Sequence, residues 1–293
     1  MTTITPNYYN KFKCIADKCK HSCCIGWEID IDDITLEKYK NLQSDFASKI
    51  KSNIEFGDTP HFKLDNNERC PFLNKQGLCD IIVNLGEDML CQICSDHPRF
   101  RNFYDDFVEI GLGLACEAAA KIILTQKEKT TLNIPAKIKQ IPTINFREKL
   151  FDILQDRTLP LDKRIDNMLC LVDGQLQTNT DWHQVFSGLE KLDNAWDEYL
   201  LRIKNGIDSS TPDNSLDTSY EQLLVYLIFR HFLDGQYDDM FKERVLFAVL
   251  IYKVIKTMNI SNTIEELIEI ARIYSSEIEY SDENINTLLS ILS

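Results

Sequence analysis

Residues 14–24 read CIADKCKHSCC: four cysteines within a short stretch, the last two adjacent. How this stretch is read decides how the N-terminal part of the chain is built. The preceding MTTITPNYYNKFKC (1–14) has no apolar run, so no signal peptide is expected and the protein is expected to be cytoplasmic. In a reducing compartment, clustered thiols serve as metal ligands or catalytic groups rather than disulfides.

The pattern continues outward. Of the ten cysteines, nine lie in the first 116 residues: Cys14, Cys19, Cys23, Cys24, Cys70, Cys79, Cys91, Cys94 and Cys116. Only Cys170 lies beyond them. The spacing C-x4-C-x3-C-C is followed by single cysteines and one C-x2-C, Cys91 and Cys94. Zinc ribbons use two such knuckles, so the irregular spacing favours iron–sulfur ligation, with zinc as the alternative. Neighbouring side chains diverge from an extended backbone. Cys23 and Cys24 are therefore expected to serve two centres, a multinuclear cluster, or one ligand and one core thiol. The radical-SAM spacing C-x3-C-x2-C fails, because Gly26 occupies its third position. Cys116 stands at a predicted helix start, where exposed N–H groups stabilise a thiolate. His21 and His97 lie near ligand cysteines and are read as supporting residues rather than ligands.

At 293 residues, 44% hydrophobic and 27% charged, the chain can bury a substantial core. Its net charge of −14 argues against a nucleic-acid partner, whose phosphates need Lys and Arg. It leaves open a lysine-bearing protein substrate. The longest apolar runs, LLVYLIF (223–229) and VLFAVLIY (245–252), are too short to span a membrane.

Cysteine content divides the chain into a metal-binding module, 1–128, and a helical domain, 129–293. The expected class is mainly α: an irregular cysteine-rich module followed by an all-α bundle. Helices are predicted over 33–51 and 115–126, with FKL (62–64) as a short strand. The stretch 127–145, with two prolines, reads as a linker or extended connector. Apolar residues three and four apart predict helices over 146–156, 161–176, 181–206, 219–235, 241–258 and 263–278. SSTPDNSLDTS (209–219) reads as a polar loop.

The segments CIADKCKHSCCIGWEIDID (14–32), RCPFLNKQGLCDIIVNLGEDMLCQICSDHPRF (69–100) and LACEAAAKIIL (114–124) resemble the flagellin lysine-N-methylase family, which carries a cysteine-rich zinc- or iron-chelating domain. The likeness continues more weakly through LFDILQDRTLPLDKRI (150–165) and LLVYLIFRHFLDG (223–235). The resemblance implies methyl transfer from S-adenosylmethionine to lysines of flagellin, and a cysteine-bound cluster, 4Fe–4S or else zinc. It places the ligands on Cys14, Cys19, Cys23, Cys24, Cys70, Cys79, Cys94 and Cys116, with Cys91 matching less firmly.

A methyl-donor site has a weaker basis in the residues themselves. VEIGLGLACEAA (108–119) loosely resembles an E-x-G-x-G donor turn, but its glycines equally suit a turn leading Cys116 into its helix. Tyr8, Tyr9, Trp27 and Glu28 read as packing around the cysteines, and His231 as a satisfied core histidine. No catalytic residue is assigned. The alternative is a non-enzymatic metal-binding or redox-sensing protein whose helical part binds a partner.

Overall fold

The computed structural model describes residues 1–177, 179–207 and 214–293. Residues 209–213 of the expected polar loop lie outside the described residues. The chain is mainly α and packs as two compact units, residues 13–100 and residues 1–12 with 101–293. These divisions fall elsewhere than after residue 128, because residues 101–128 pack with the helical part.

Strand β1 (Thr2–Ile4) opens the larger unit, and the chain then builds the smaller one. Here Asp32 caps α1 (Asp33–Asn41), its Oδ1 accepting from the Thr35 N–H at 3.0 Å. The predicted single helix over 33–51 breaks at Leu42, whose backbone is extended. Ser44 then starts α2 (Asp45–Ser52) with a cap of its own, its hydroxyl accepting from the Ala47 N–H. A Ser-Asp pair supplies both a cap and a first-turn acid, which outweighs continuation of the apolar spacing. A minimal antiparallel hairpin follows, β2 (Ile54–Glu55) with β3 (His61–Phe62), at the edge of the expected FKL strand. Two short helices close the unit, α3 (Asp80–Leu85) and α4 (Gln92–Asp96). The core combines Ile29, Ile31, Leu36, Tyr39, Ile50, Ile54, Phe62, Phe72 and Ile81 with Cys70 and Cys91. Phe62 and Phe72 meet edge to face at 4.8 Å.

Periodicity did not predict the three-stranded sheet to which β1 belongs. Its order is β1, β5 (Phe107–Leu112), β4 (Arg99–Phe103), with β1 parallel to β5. Helix α5 (Glu117–Leu124) follows the sheet. The stretch 127–145 is not a free linker. Leu132 bridges to Pro6, and Thr130, Ile134 and Ile138 are buried, because their neighbours in this unit cover them. Pro142 opens α6 (Pro142–Leu154), four residues before the predicted start, as its fixed φ permits at a first helical position.

Beyond it come α7 (Leu161–Leu171), α8 (Trp182–Ser187), α9 (Ala195–Leu200), α10 (Asp217–His231), α11 (Gly235–Asp238), α12 (Phe241–Met258) and α13 (Ile264–Tyr274). The predicted helix over 181–206 is broken, with α8 and α9 separated by residues 188–194. Helix α10 is buried all round from Ser219 to His231 and packs on α5, α6 and α12. Helix α13 runs into a π-turn, Ser275–Glu279, and Ser281 then caps α14 (Asp282–Leu292). No helix among the described residues is long and apolar enough to cross a membrane.

Candidate functional site

Backbone pairing gathers the cysteines of the smaller unit. The Cys70 N–H donates to the Cys24 carbonyl at 2.8 Å, and Ile25 bridges to Arg69, so the two cysteine loops lie side by side. A tight turn then returns the chain from Cys70 to Cys79. Asn74 Oδ1 accepts from the N–H groups of Gln76 and Leu78. Gly77 takes φ +77°, with Asp17 Cα 3.4 Å from where a Cβ would sit, so a side chain there is both strained and crowded. Leu73 bridges to Cys79, which precedes α3 as Cys91 precedes α4. Asp32 joins this frame to α1. While Oδ1 caps α1, Oδ2 accepts from the Gln92 N–H at 2.8 Å, so one carboxylate caps two helices.

Cys70 and Cys91 are buried in this core, with Cys24, Cys79 and Cys94 packed against it. The Cys23 thiol hydrogen-bonds to Cys24 and holds the Cys24 thiol down at about 7, against the pull of burial. A second pair joins Cys91 and Cys94. Their mutual influence draws Cys91 down and Cys94 up, and burial raises Cys94 further. Burial pushes Cys70 up to about 12 and also raises Cys79. The Cys94 thiol feels the charges of Cys24 and Cys70, so the two pairs share one environment.

The remaining cysteines stand differently. Exposed Cys14 accepts from the Ala16 N–H, and half-buried Cys19 donates to the His21 carbonyl at 3.1 Å. Cys116 belongs to the larger unit, at the N-terminus of α5 as predicted. Cys170 is exposed. Among the described residues no three His, Cys, Asp or Glu side chains are arranged to hold a metal ion. The fold does supply the donor chemistry. Soft sulfur donors in a low-dielectric pocket, two of them acidified, suit zinc or an iron–sulfur cluster, and side-chain rotation would have to close the set.

Of the residues expected to pack around the cysteines, Trp27 and Glu28 lie in the smaller unit, and Tyr8 and Tyr9 in the larger one. Trp27 donates its indole N–H to the Cys23 carbonyl at 2.7 Å, and Glu28 faces His61 at 3.4 Å. Burial lowers His97 to about 4, which leaves it neutral. Tyr8 is a core residue of the larger unit.

In the larger unit the stretch 108–119 does form strand, turn and helix, from β5 to α5. Glu109, however, is fully buried in a two-bond pair with Arg147, at 2.6 and 2.7 Å. A second buried carboxylate, Glu279 on the π-turn, takes hydrogen bonds from Tyr226 at 2.8 Å, from Ser275 and from His231 at 2.9 Å. Arg230 stands 3.5 Å away. His231 is thus a satisfied core histidine. Burial holds it below its ordinary value although Glu279 pulls the other way. A third carboxylate, Glu221, is gripped by Arg157 and Arg164. Sequence reading missed the three carboxylate clusters. The one local signal was charged residues inside strongly apolar helices, as in LLVYLIFRH.

Residues 172–293, wholly within the larger unit, match the FliB lysine N-methylase C-terminal domain. Over that region the chain is similar to the flagellin lysine-N-methylase family. Lysine-N-methylases of Salmonella typhimurium and Salmonella choleraesuis are each 28% identical to it over 166 residues, which is 52% of this chain and 41% of the relative. The flagellar biosynthetic protein FliU of Salmonella muenchen is 28% identical over 141 residues, 45% of this chain and 82% of that protein. The chain thus spans about two-fifths of the length of the two lysine-N-methylases it matches. No solved structure matches it. The family-matched region contains α10 and the Glu279 cluster, and none of the smaller unit's cysteines.

Proposed function

We propose that this chain is a cytoplasmic protein-lysine N-methyltransferase that acts on flagellin with S-adenosylmethionine as donor, and that the smaller unit's cysteines hold an iron–sulfur cluster, with zinc as the alternative occupant. One observation carries the reading: the match to the family's C-terminal domain sits in the same chain as the gathered thiols. The lysine must arrive neutral and in line with the sulfonium methyl, so positioning is the protein's main task. Of the expected ligands, Cys24, Cys70, Cys79 and Cys94 are those the core brings together, and Cys23 hydrogen-bonds to Cys24. A bound cluster supplies one-electron chemistry and a structural staple. The family likeness also implies Cys14 and Cys19 of the smaller unit and, in the larger unit, Cys116.

A second reading, a non-enzymatic metal-binding or redox-sensing protein, draws support from Glu109. The acid of the candidate donor turn is occupied by Arg147 and has no free oxygen to offer a donor. Protein purified without oxygen decides between the two. We expect stoichiometric iron and sulfide with visible absorption, calorimetric binding of S-adenosylmethionine, and added methyl groups on flagellin lysines by mass spectrometry. Colourless protein with stoichiometric zinc removes the iron–sulfur assignment. Metal-loaded protein that neither binds the donor nor modifies flagellin removes the methyltransferase.

A further inference from the structure

A cavity of about 660 Å³ lies in the larger unit, inside the region that matches the family's C-terminal domain and apart from the cysteines and buried carboxylates. That volume is in the range of small-molecule pockets. Three segments build it: the chain between α7 and α8, the turn that follows α9, and the C-terminal part of α12. Two hydrogen bonds fix the turn against α12. Thr257 Oγ1 donates to the Ile207 carbonyl at 3.1 Å, and Arg202 Nη1 donates to the Met258 carbonyl at 2.6 Å.

The lining runs against the composition of the chain. Acidic residues outnumber basic ones 46 to 32, yet the described lining carries Arg202 and Lys253 and no carboxylate. The amides of Gln177 and Asn205 add further donors, and Leu176, Ile207 and Ile260 supply apolar wall. Arg202 Nη1 also donates to Glu266 Oε1 at 2.8 Å, while Nε and Nη2 make no hydrogen bond among the described residues. Trp182 stands on the same wall at 4% exposure, and its indole N–H has no acceptor among the described residues. A buried donor left unpaired is costly, and a cationic donor gains most from an ionised acceptor. These groups together lack an anion. A neighbouring hollow of about 560 Å³ shares Leu176 and Lys253 and carries Asp162 and Asp166. Lys253 thus stands between opposite charges, and Arg202 is the cation that belongs to the first cavity alone.

We propose that this cavity binds a small organic anion, a carboxylate or phosphate carried on an apolar body, with Arg202 and Lys253 taking the charge. The guanidinium suits either group, because its N–H donors pair with carboxylate and phosphate oxygens alike. Two sources share that chemistry. One is the amino-acid carboxylate of the methyl donor, which rests on the function proposed above; the other is the phosphate of a nucleotide, which does not.

The test titrates the full chain, purified without oxygen, by calorimetry with S-adenosylhomocysteine, methylthioadenosine and adenosine monophosphate. Methylthioadenosine keeps the adenosyl body and lacks the carboxylate; the monophosphate carries a phosphate on the same nucleoside. The variants are Arg202→Lys, Lys253→Met and Asn205→Asp, with Asn286→Asp on α14 as the control for an added charge and circular dichroism as the check on folding. Asn205 is exposed, so Asn205→Asp brings a carboxylate to the cavity without touching the core and serves where Arg202→Lys loses the fold. We expect at least one of the two anions to bind wild type about ten-fold or more tighter than methylthioadenosine, the worth of one charge-assisted hydrogen bond. The three cavity variants should weaken that binding several-fold, and Asn286→Asp should match wild type. Binding of S-adenosylhomocysteine assigns the cavity to the methyl donor, and binding of the monophosphate alone assigns it to a nucleotide; both sustain the anion site. Equal affinity for methylthioadenosine overturns it. Folded Lys253→Met and Asn205→Asp proteins with wild-type affinity overturn the placement and leave donor binding standing. A wild-type chain that binds neither anion overturns the inference, and one that also fails to bind S-adenosylmethionine takes the proposed methyltransferase with it.

Discussion

The Glu109–Arg147 pair joins β5 to α6 inside the larger unit, and its geometry fixes what breaking it should do. Both side chains are completely buried, and the guanidinium forms two parallel bonds to the carboxylate while lying over the rings of Phe151 and Phe229 at 6.0 and 5.5 Å. Arg147→Met keeps most of the volume but strands the Glu109 carboxylate in a dry core. Leaving one member of a buried pair uncompensated costs about 3–5 kcal/mol. Replacing both members by apolar groups of similar volume removes the stranded charge and is often neutral or stabilising, so Arg147→Met with Glu109→Leu should lie within about 2 kcal/mol of wild type. In a unit of this size each kcal/mol shifts the melting temperature by about 2–4 °C, which puts the single variant about 6–20 °C below wild type. Urea and thermal unfolding followed by circular dichroism measure both. Single-variant costs below about 1 kcal/mol, or a double variant whose cost equals the sum of the two singles, would show that the pair is not the buried, mutually dependent contact described here.

Two further outcomes follow from single side chains. Asp32→Ala removes the acceptor that caps both α1 and α4. At about 1 kcal/mol per cap the smaller unit should lose about 2 kcal/mol, with faster hydrogen exchange at the Thr35 and Gln92 amides; a loss confined to Thr35 would mean that Asp32 caps α1 alone. His231 is held below its ordinary value by burial, so an unfolded chain takes a proton near pH 6.5 that the folded one refuses. Its contribution is present above that pH and is lost as pH falls below it, whereas Glu279, also lowered, gives way only at pH below the ordinary carboxylate range. The melting temperature of wild type should fall between pH 7 and 5 more steeply than that of His231→Gln, and parallel curves would exclude His231 as the cause.

Much of the helical fold was legible because periodicity reports which face of a segment is buried. Helices α6, α7, α10, α12 and α13 all lie under predicted segments. Periodicity does not report where the backbone breaks. The interruption at Leu42–Ser44 depends on a cap that competes with continued apolar spacing, and the division of 181–206 depends on Asp193 and Asn194 forming a turn that leads into α9. The buried carboxylates were illegible for a different reason. Their partners lie far away in the chain, Arg147 at 38 positions from Glu109, His231 at 48 from Glu279 and Arg157 at 64 from Glu221, and no local window contains both members.

The adjacent cysteines show how local backbone shape alters what a spacing implies. Divergence of neighbouring side chains holds for an extended strand, where successive Cβ atoms point to opposite faces. Cys23 and Cys24 lie instead in a turn, and their thiols meet in a hydrogen bond. Convergence changes what the pair can serve. Two sulfurs this close share one neighbourhood, which weighs against two separated centres. A single tetrahedral zinc has four positions, and six gathered thiols, Cys23, Cys24, Cys70, Cys79, Cys91 and Cys94, exceed them. Several metal atoms bridged by sulfide spread the coordinating positions over a larger body. For the cofactor proposed above, this crowding argues for one multinuclear cluster rather than a single zinc, and stoichiometric zinc in colourless protein would refute it.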